Sequence, residues 1–279
     1  MSRLIYADFM RLKKDKCFWT GVIVMVFMGM YLPFNTFRQM QKYPDYTVPL
    51  ESSFTNYIML VLFISSAFCS LYIGTEYSDG TIRNKLMVGH KRAHIYLSNL
   101  IVCVATEYVM CFAFIVVNLC VGIPLLGFFS GGAARMLAYS GCAAVMLIAV
   151  TAIYTMIAML NQNKAVTSVI CIFGIFIMFF NGAYMSSRID EPEIYEAHSY
   201  VDYSTNELIE VEAAPNPNYI SGTKRVVYEF LNDFLPGNQA FMLWEGIAVH
   251  LGRMTLYSVM IAVIVTGAGI FIFRNEDIK

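Results

Sequence analysis

Six stretches of this chain are apolar for about the 20 residues that a helix needs to cross a bilayer. They are residues 18–37, 54–74, 95–126, 135–160, 165–186 and 247–273. Lipid offers no water to the backbone, so only helices or closed barrels can span it. The runs are continuous rather than alternating in polarity, which favours helices. The expected fold is an all-α membrane protein with six transmembrane helices. Composition agrees, because only 14% of the residues are charged, against roughly 25% in a soluble domain. The run at 95–126 is longer than a crossing needs, and Pro124 is expected to bend or end it.

The polar segments organise the rest. In residues 1–17, Leu4, Ile5, Phe9 and Leu12 share one helical face while Arg11 and Lys14 lie on another. That pattern predicts a helix lying in the membrane interface. The alternative is a plain basic flank to the first span. The stretch lacks the small-residue cleavage site of a signal peptide. Arg3, Arg11, Lys13, Lys14, Lys16, Arg83, Lys85, Lys91, Arg92, Lys164, Arg274 and Lys279 fall on one side of the spans, while the opposite short loops carry Arg38, Lys42 and Arg135. The positive-inside rule then predicts that both termini are cytoplasmic. The expected layout is an interfacial helix at 1–17, spans one to five at 18–187 with a polar loop at 75–94, an extracellular segment at 188–246, the sixth span at 247–273 and a tail at 274–279. Within the extracellular segment, Tyr200–Tyr203 and Leu208–Val211 suggest a hairpin. Residues 224–234 suggest an amphipathic helix that Pro236-Gly237-Asn238 breaks, and residues 239–245 a second short helix.

Little in the chain points to chemistry of its own. Gly222-Thr223-Lys224-Arg225 and Gly89-His90-Lys91-Arg92 lack the spacing of a phosphate-binding loop, and neither a GxSxG nor an HExxH pattern occurs. The seven cysteines lie in or beside apolar runs, without CxxC pairing or a histidine close in sequence, so neither a disulfide framework nor a metal site is expected. No residue is assigned a catalytic role. Glu107 is the one acidic residue deep within a span. Its expected place is against protein or a water-filled cavity, either as a cargo contact or as a protonated carboxyl bonded to a neighbouring helix.

The most informative stretch is the loop after the second span, Gly74-Thr75-Glu76-Tyr77-Ser78-Asp79-Gly80-Thr81-Ile82-Arg83-Asn84-Lys85-Leu86, continued by Gly89-His90-Lys91-Arg92. Ser78 or Asp79 is expected to cap a short helix over 81–87. Ile82 and Leu86, four residues apart, are expected to form its exposed apolar face, with Arg83 and Lys85 beside them and Glu76 tied to Arg83 or Arg92. The stretch Glu76 to Leu86, with Arg92, resembles the first cytoplasmic loop of ABC-2-type transporter permeases. The element Phe230-Leu231-Asn232-Asp233-Phe234-Leu235-Pro236 and the ending from Phe271 to Lys279 are similar to parts of the same family.

That resemblance implies a coupling helix that docks on a separate ABC ATPase, with Glu76, Gly80, Thr81, Ile82, Arg83, Lys85, Leu86 and Arg92 as the coupling residues. It also implies two ATPase copies, a second copy of the permease or a paralogue, and an interface between permeases lined by the first, second and fifth spans. ATP and magnesium would be held by the partner and not by this chain. The function so implied is ATP-driven export of an amphipathic or hydrophobic cargo such as a peptide, an antimicrobial or a lipid-like molecule. The alternatives are an ion-coupled secondary transporter, for which a lone Glu107 and the lack of a visible repeat are poor support, and a receptor or assembly protein that uses the extracellular segment, which is acidic, with 11 Asp and Glu against 3 Lys and Arg over residues 188–245. Nothing points to nucleic acid.

Overall fold

A computed structural model describes residues 1–43, 47–202 and 207–276. The turn of the expected hairpin, 203–206, and the last three residues of the tail, 277–279, lie outside the described residues, as do residues 44–46. The chain opens with α1 (Ser2–Leu12) and α2 (Lys16–Lys42), separated by a short turn in which the Asp15 carboxylate caps α2 by accepting from the Phe18 amide at 2.9 Å. Then come α3 (Leu50–Phe54), α4 (Asn56–Ser78), α5 (Thr81–Met87), α6 (Arg92–Leu126), α7 (Ala133–Leu160) and α8 (Lys164–Asp190). Two small antiparallel pairs follow, β1 (Ile194–Tyr195) with β4 (Ala214–Pro215) and β2 (His198–Asp202) with β3 (Glu207–Val211). The last elements are α9 (Gly222–Phe234), α10 (Pro236–Glu245) and α11 (Leu251–Asn275).

Six helical stretches are long and apolar enough to span a membrane: α2, α3 with α4, α6, α7, α8 and α11. The protein is an all-α membrane protein. At 1.5 Å per residue α6 is about 52 Å long, well beyond a hydrocarbon core of about 30 Å, so it also builds one end of the molecule. Pro124 sits two residues before its last residue, and Gly127 terminates it at φ 84°.

The bundle is organised around α4 and α7, whose apolar stretches are mostly buried, while α2, α6, α8 and α11 turn large apolar faces outward. Small residues on α7, among them Ala143, Ala149, Ala152 and Ala158, are fully buried; they allow close helix approach where lipid provides no hydrophobic drive between helices. The α2–α6 contact is closer still. A Cβ on Gly29 would lie 2.9 Å from the Phe114 carbonyl oxygen. Pro33, one turn on, has no N–H for the Gly29 carbonyl. Asn118 on α6 takes that place, its Nδ2 donating to the Gly29 oxygen at 3.4 Å.

Beyond α8 the chain folds back on itself. The expected break falls at Leu235, after α9, and the second helix starts at Pro236 rather than at 239, because a proline at the first helical position loses no hydrogen bond there. A backbone-close contact at Gly182 and Gly237 seats α10 on α8. The sixth spanning helix begins at Leu251, after a short non-helical stretch at 247–250.

Candidate functional site

Helix α5 was expected to be a free-standing arm with an apolar face turned outward. Its extent is as expected, but its facing is reversed. Ile82 is 1% exposed and belongs to the main core, and Leu86 packs partly buried against it. The exposed apolar residues are Met87 and Val88, 71% and 78% exposed, and Arg83 and Asn84 are exposed with them. Neither Ser78 nor Asp79 caps the helix. Its N-cap is Gly80 in the left-handed region at φ 66°, a conformation that favours glycine, while the Ser78 hydroxyl donates to the Thr75 carbonyl at 3.1 Å. Thr81 follows and lines a groove between α5 and α1.

What holds α5 inward is a buried cluster of charges. Glu76, at the end of α4, has no exposed surface. Its Oε1 accepts from Lys85 Nζ on α5 and from Arg11 Nη1 on α1, and its Oε2 accepts from Asn99 Nδ2 on α6 at 2.8 Å. Asp8 on α1 is 2% exposed. It accepts from Lys85 Nζ at 2.7 Å and from Ser98 Oγ at 2.6 Å, and the Tyr72 hydroxyl donates to its backbone carbonyl at 2.9 Å. Arg11 stacks over the Tyr72 ring at 3.7 Å. Burial works against the Arg11 charge, but Glu76, Tyr72 and Asp8 outweigh it and the guanidinium pKa is raised. Two carboxylates thus face two cations, and four helices meet at one neutral knot.

The pairs expected for Glu76 are therefore corrected. Arg83 points to solvent. Arg92 instead joins the start of α6 to the end of α11, donating through Nη1 to the carbonyls of Phe273 at 3.0 Å and of Glu276. Those carbonyls lie at or just past a helix C-terminus, where the helix itself supplies no partner. Lys164 reaches from α8 to Thr75 Oγ1 at 2.9 Å, and the Tyr77 hydroxyl donates to the Met159 carbonyl of α7. Gly80, Thr81, Ile82, Lys85 and Leu86 therefore act within the joint, and Arg83 on its surface.

Sequence reasoning missed Asp8, Ser98 and Asn99. Asp8 carried a readable signal, since it sits on the same helical stripe as Leu4 and Leu12, four residues from each. An acidic residue centred in an apolar stripe requires a buried cation. Ser98 and Asn99 carried none, because their partners are distant in sequence.

Glu107 lies elsewhere. It is fully buried in α6 and accepts from Thr151 Oγ1 on α7. Its other oxygen has no hydrogen-bond partner among the described residues. At the opposite end of the molecule, Asp233 of α9 accepts through Oδ2 from Arg253 Nη2 at 2.9 Å and His250 Nδ1 at 3.2 Å. Burial raises the Asp233 carboxyl above its ordinary range, against the pull of His250 and Arg253. Gln239 of α10, fully buried, donates to the Asp233 carbonyl at 2.7 Å and accepts from Ser258 of α11 at 2.6 Å. Among the described residues, no group of three or more His, Cys, Asp or Glu is placed to hold a metal ion.

The two carboxylates of the Glu76 knot are paired with Arg11 and Lys85 and, with Asn99 and Ser98, join α1, α4, α5 and α6. A family model described as "ABC-2 family transporter protein" matches residues 4–181, which take in the knot, α5, the first four spanning helices and the fifth as far as residue 181. No curated protein matches the chain.

Proposed function

The chain belongs to the ABC-2 transporter family, and from that premise we propose that it is the permease through which a separate ATPase drives export of an amphipathic or hydrophobic cargo. Membership makes it the membrane subunit of an ABC transporter, with an ABC ATPase as its general partner. The observation that carries the finer reading is the way α5 is mounted. One side is locked by Ile82 and by Lys85 into Glu76 and Asp8, and the other presents Arg83, Asn84, Met87 and Val88. A push on the exposed side is not absorbed by a flexible loop. It passes through Lys85 to α1 and α4, and through Asn99 to α6. Because α4 lies at the centre of the bundle, its displacement shifts α7 and α8 as well. ATP and magnesium bind on the partner, and its nucleotide state biases two arrangements of the spans.

In this reading the end bearing α1 and α5 is cytoplasmic and two ATPase copies serve two permeases, identical or paralogous. The faces that pair the permeases are those of α2 and α8, where Phe27, Tyr31, Phe173 and Phe180 are exposed. Helix α4 is largely covered within the chain and takes little part. The apolar walls suit a hydrophobic or amphipathic cargo.

The test is a pair of variants assayed with the cognate ATPase. The double variant Met87→Asp/Val88→Asp is expected to keep the yield of the permease and to reduce ATPase copurification about tenfold, as the loss of an apolar hot spot does. Glu76→Ala is expected to keep assembly but uncouple ATP hydrolysis from transport. If the ATPase copurifies equally with the double variant, α5 is not the docking element.

A further inference from the structure

The turn that joins α1 to α2 carries Lys13, Lys14 and Lys16, all exposed and none in an ion pair among the described residues. Its one carboxylate, Asp15, is engaged at the Phe18 amide. The charges buried behind α1 cancel, since Asp8 and Glu76 are matched by Lys85 and Arg11. Lys164, at the start of α8, adds a cation beside Cys17, although its ammonium donates to Thr75 Oγ1. Three lysines against one carboxylate leave the turn with positive charge in excess. The turn itself is held in shape, because the amides of Lys14 and Asp15 donate to the carbonyls of Arg11 and Leu12 at 3.0 Å.

A separate observation places these lysines at the edge of lipid. Trp19 is 51% exposed, and its indole Nε1 donates to the Lys13 carbonyl at 2.9 Å. An exposed indole on a spanning helix marks the headgroup level. Trp19 heads an exposed apolar stripe of α2 that continues through Ile23, Val26 and Met30. Phe27 and Tyr31, assigned above to the second permease, lie round the helix from that stripe. On α1, Tyr6 and Met10 are exposed and lead up to Lys13 in the same way. The ammonium groups therefore stand where two apolar faces end, on stems long enough to reach a phosphate.

We propose that this turn is a binding site for the headgroup of an anionic phospholipid. The ammoniums of Lys13, Lys14 and Lys16 gather on the phosphate, and the acyl chains run along Trp19, Ile23 and Met30. A zwitterionic headgroup carries its own cation beside the phosphate and gains less from the lysines. Free phosphate lacks the chains that the apolar stripe would cover. The inference does not rest on the transport reading and needs only that α2 spans the bilayer.

The experiment uses the full chain with Trp244→Phe, which leaves Trp19 as the sole tryptophan. It is reconstituted in phosphatidylcholine bilayers, with equal fractions of the lipid replaced by brominated phosphatidylglycerol or brominated phosphatidylcholine. Quenching of Trp19 is expected to show a preference for phosphatidylglycerol of roughly three- to fivefold, about the attraction of one lysine to an anionic surface. Lys13→Gln/Lys14→Gln/Lys16→Gln should bring the ratio to about one while quenching by phosphatidylcholine stays as in the parent. Salt at about 0.5 M should do the same without any substitution, because the lysines are exposed to screening. Lys91→Gln/Arg274→Gln, which removes two exposed charges at the same end of the molecule, should keep the preference. The proposal is overturned if the parent shows no preference, which would leave the turn to an acidic protein surface. It is overturned equally if the triple variant keeps the preference, or if Lys91→Gln/Arg274→Gln loses it as fully. Sodium phosphate at the ionic strength of the chloride buffer should leave the ratio unchanged, and displacement by it would mean a free-phosphate site instead of a lipid site.

Discussion

Glu107 and Glu76 are both carboxylates without exposed surface, yet their surroundings assign them different work. Glu76 accepts from three side chains, two of them cations. Glu107 meets no cation among the described residues, only the hydroxyls of Thr151 and Ser65. An ionised carboxylate so poorly partnered would be costly at that depth, whereas a neutral one needs only modest bonding. With no surface exposed, Glu107 is out of reach of cargo in this arrangement of the spans, which favours the helix-to-helix role over the cargo role left open by the sequence. Glu107→Gln, which keeps the shape and the acceptor, is expected to leave yield, transport rate and cargo preference within about twofold of the parent. Thr151→Val, which strands the carboxyl, should cost roughly 1–3 kcal/mol, seen as a lower Tm in detergent. A changed cargo preference in Glu107→Gln would restore the cargo role.

The element scale shows what sequence could and could not supply. The bounds of α5 were legible, since Gly80 and Gly89 bracket a short helix-compatible stretch. Its facing was not. Ile82 and Leu86 share a face whichever way the helix turns, and the choice is made by Asp8 of α1 and Glu76 of α4 competing for Lys85, 77 and 9 residues away. No local pattern encodes that contest. The same holds for α9 and α10, where Pro236 is equally compatible with a stop and a start; the backbone-close contact of Gly237 with Met178 of α8 decides for a start. Because Ile82 is buried, Ile82→Ala is expected to act on the mounting of α5 rather than on its outer face. The loss is about 2–5 kcal/mol, the usual range for truncating a buried aliphatic side chain to alanine. Amide exchange should then speed up across α5 and leave α4 and α7 unchanged. Unchanged exchange in α5 would mean that the charged knot alone holds it.

For the whole molecule, the six spans were readable because crossing lipid demands length and apolarity, which are properties of single segments. Which helices sit at the centre was not readable, because α4, α7, α8 and α11 are alike in composition and differ only in what covers them. Orientation rests on charge asymmetry, a property of the chain as a whole. The basic end carries α1, α5 and the α6 start, and the opposite end carries the acidic segment with α9 and α10. A labelling experiment decides between the two ways of placing them. Five of the seven cysteines, at positions 69, 103, 111, 142 and 171, are buried, so an impermeant thiol reagent is not expected to reach them in the folded chain. Replacing only Cys17 and Cys120 therefore gives a silent background without disturbing the core. Thr223 at the start of α9 and Asn84 on the outer face of α5 are both exposed. In that background Thr223→Cys should react with the reagent in intact cells. Asn84→Cys should react only after the membrane is opened, with at least a tenfold contrast between the two conditions. The reverse pattern would put α5 outside the cell, beyond the reach of any ATPase, and the coupling role of the Glu76 knot would fall with it.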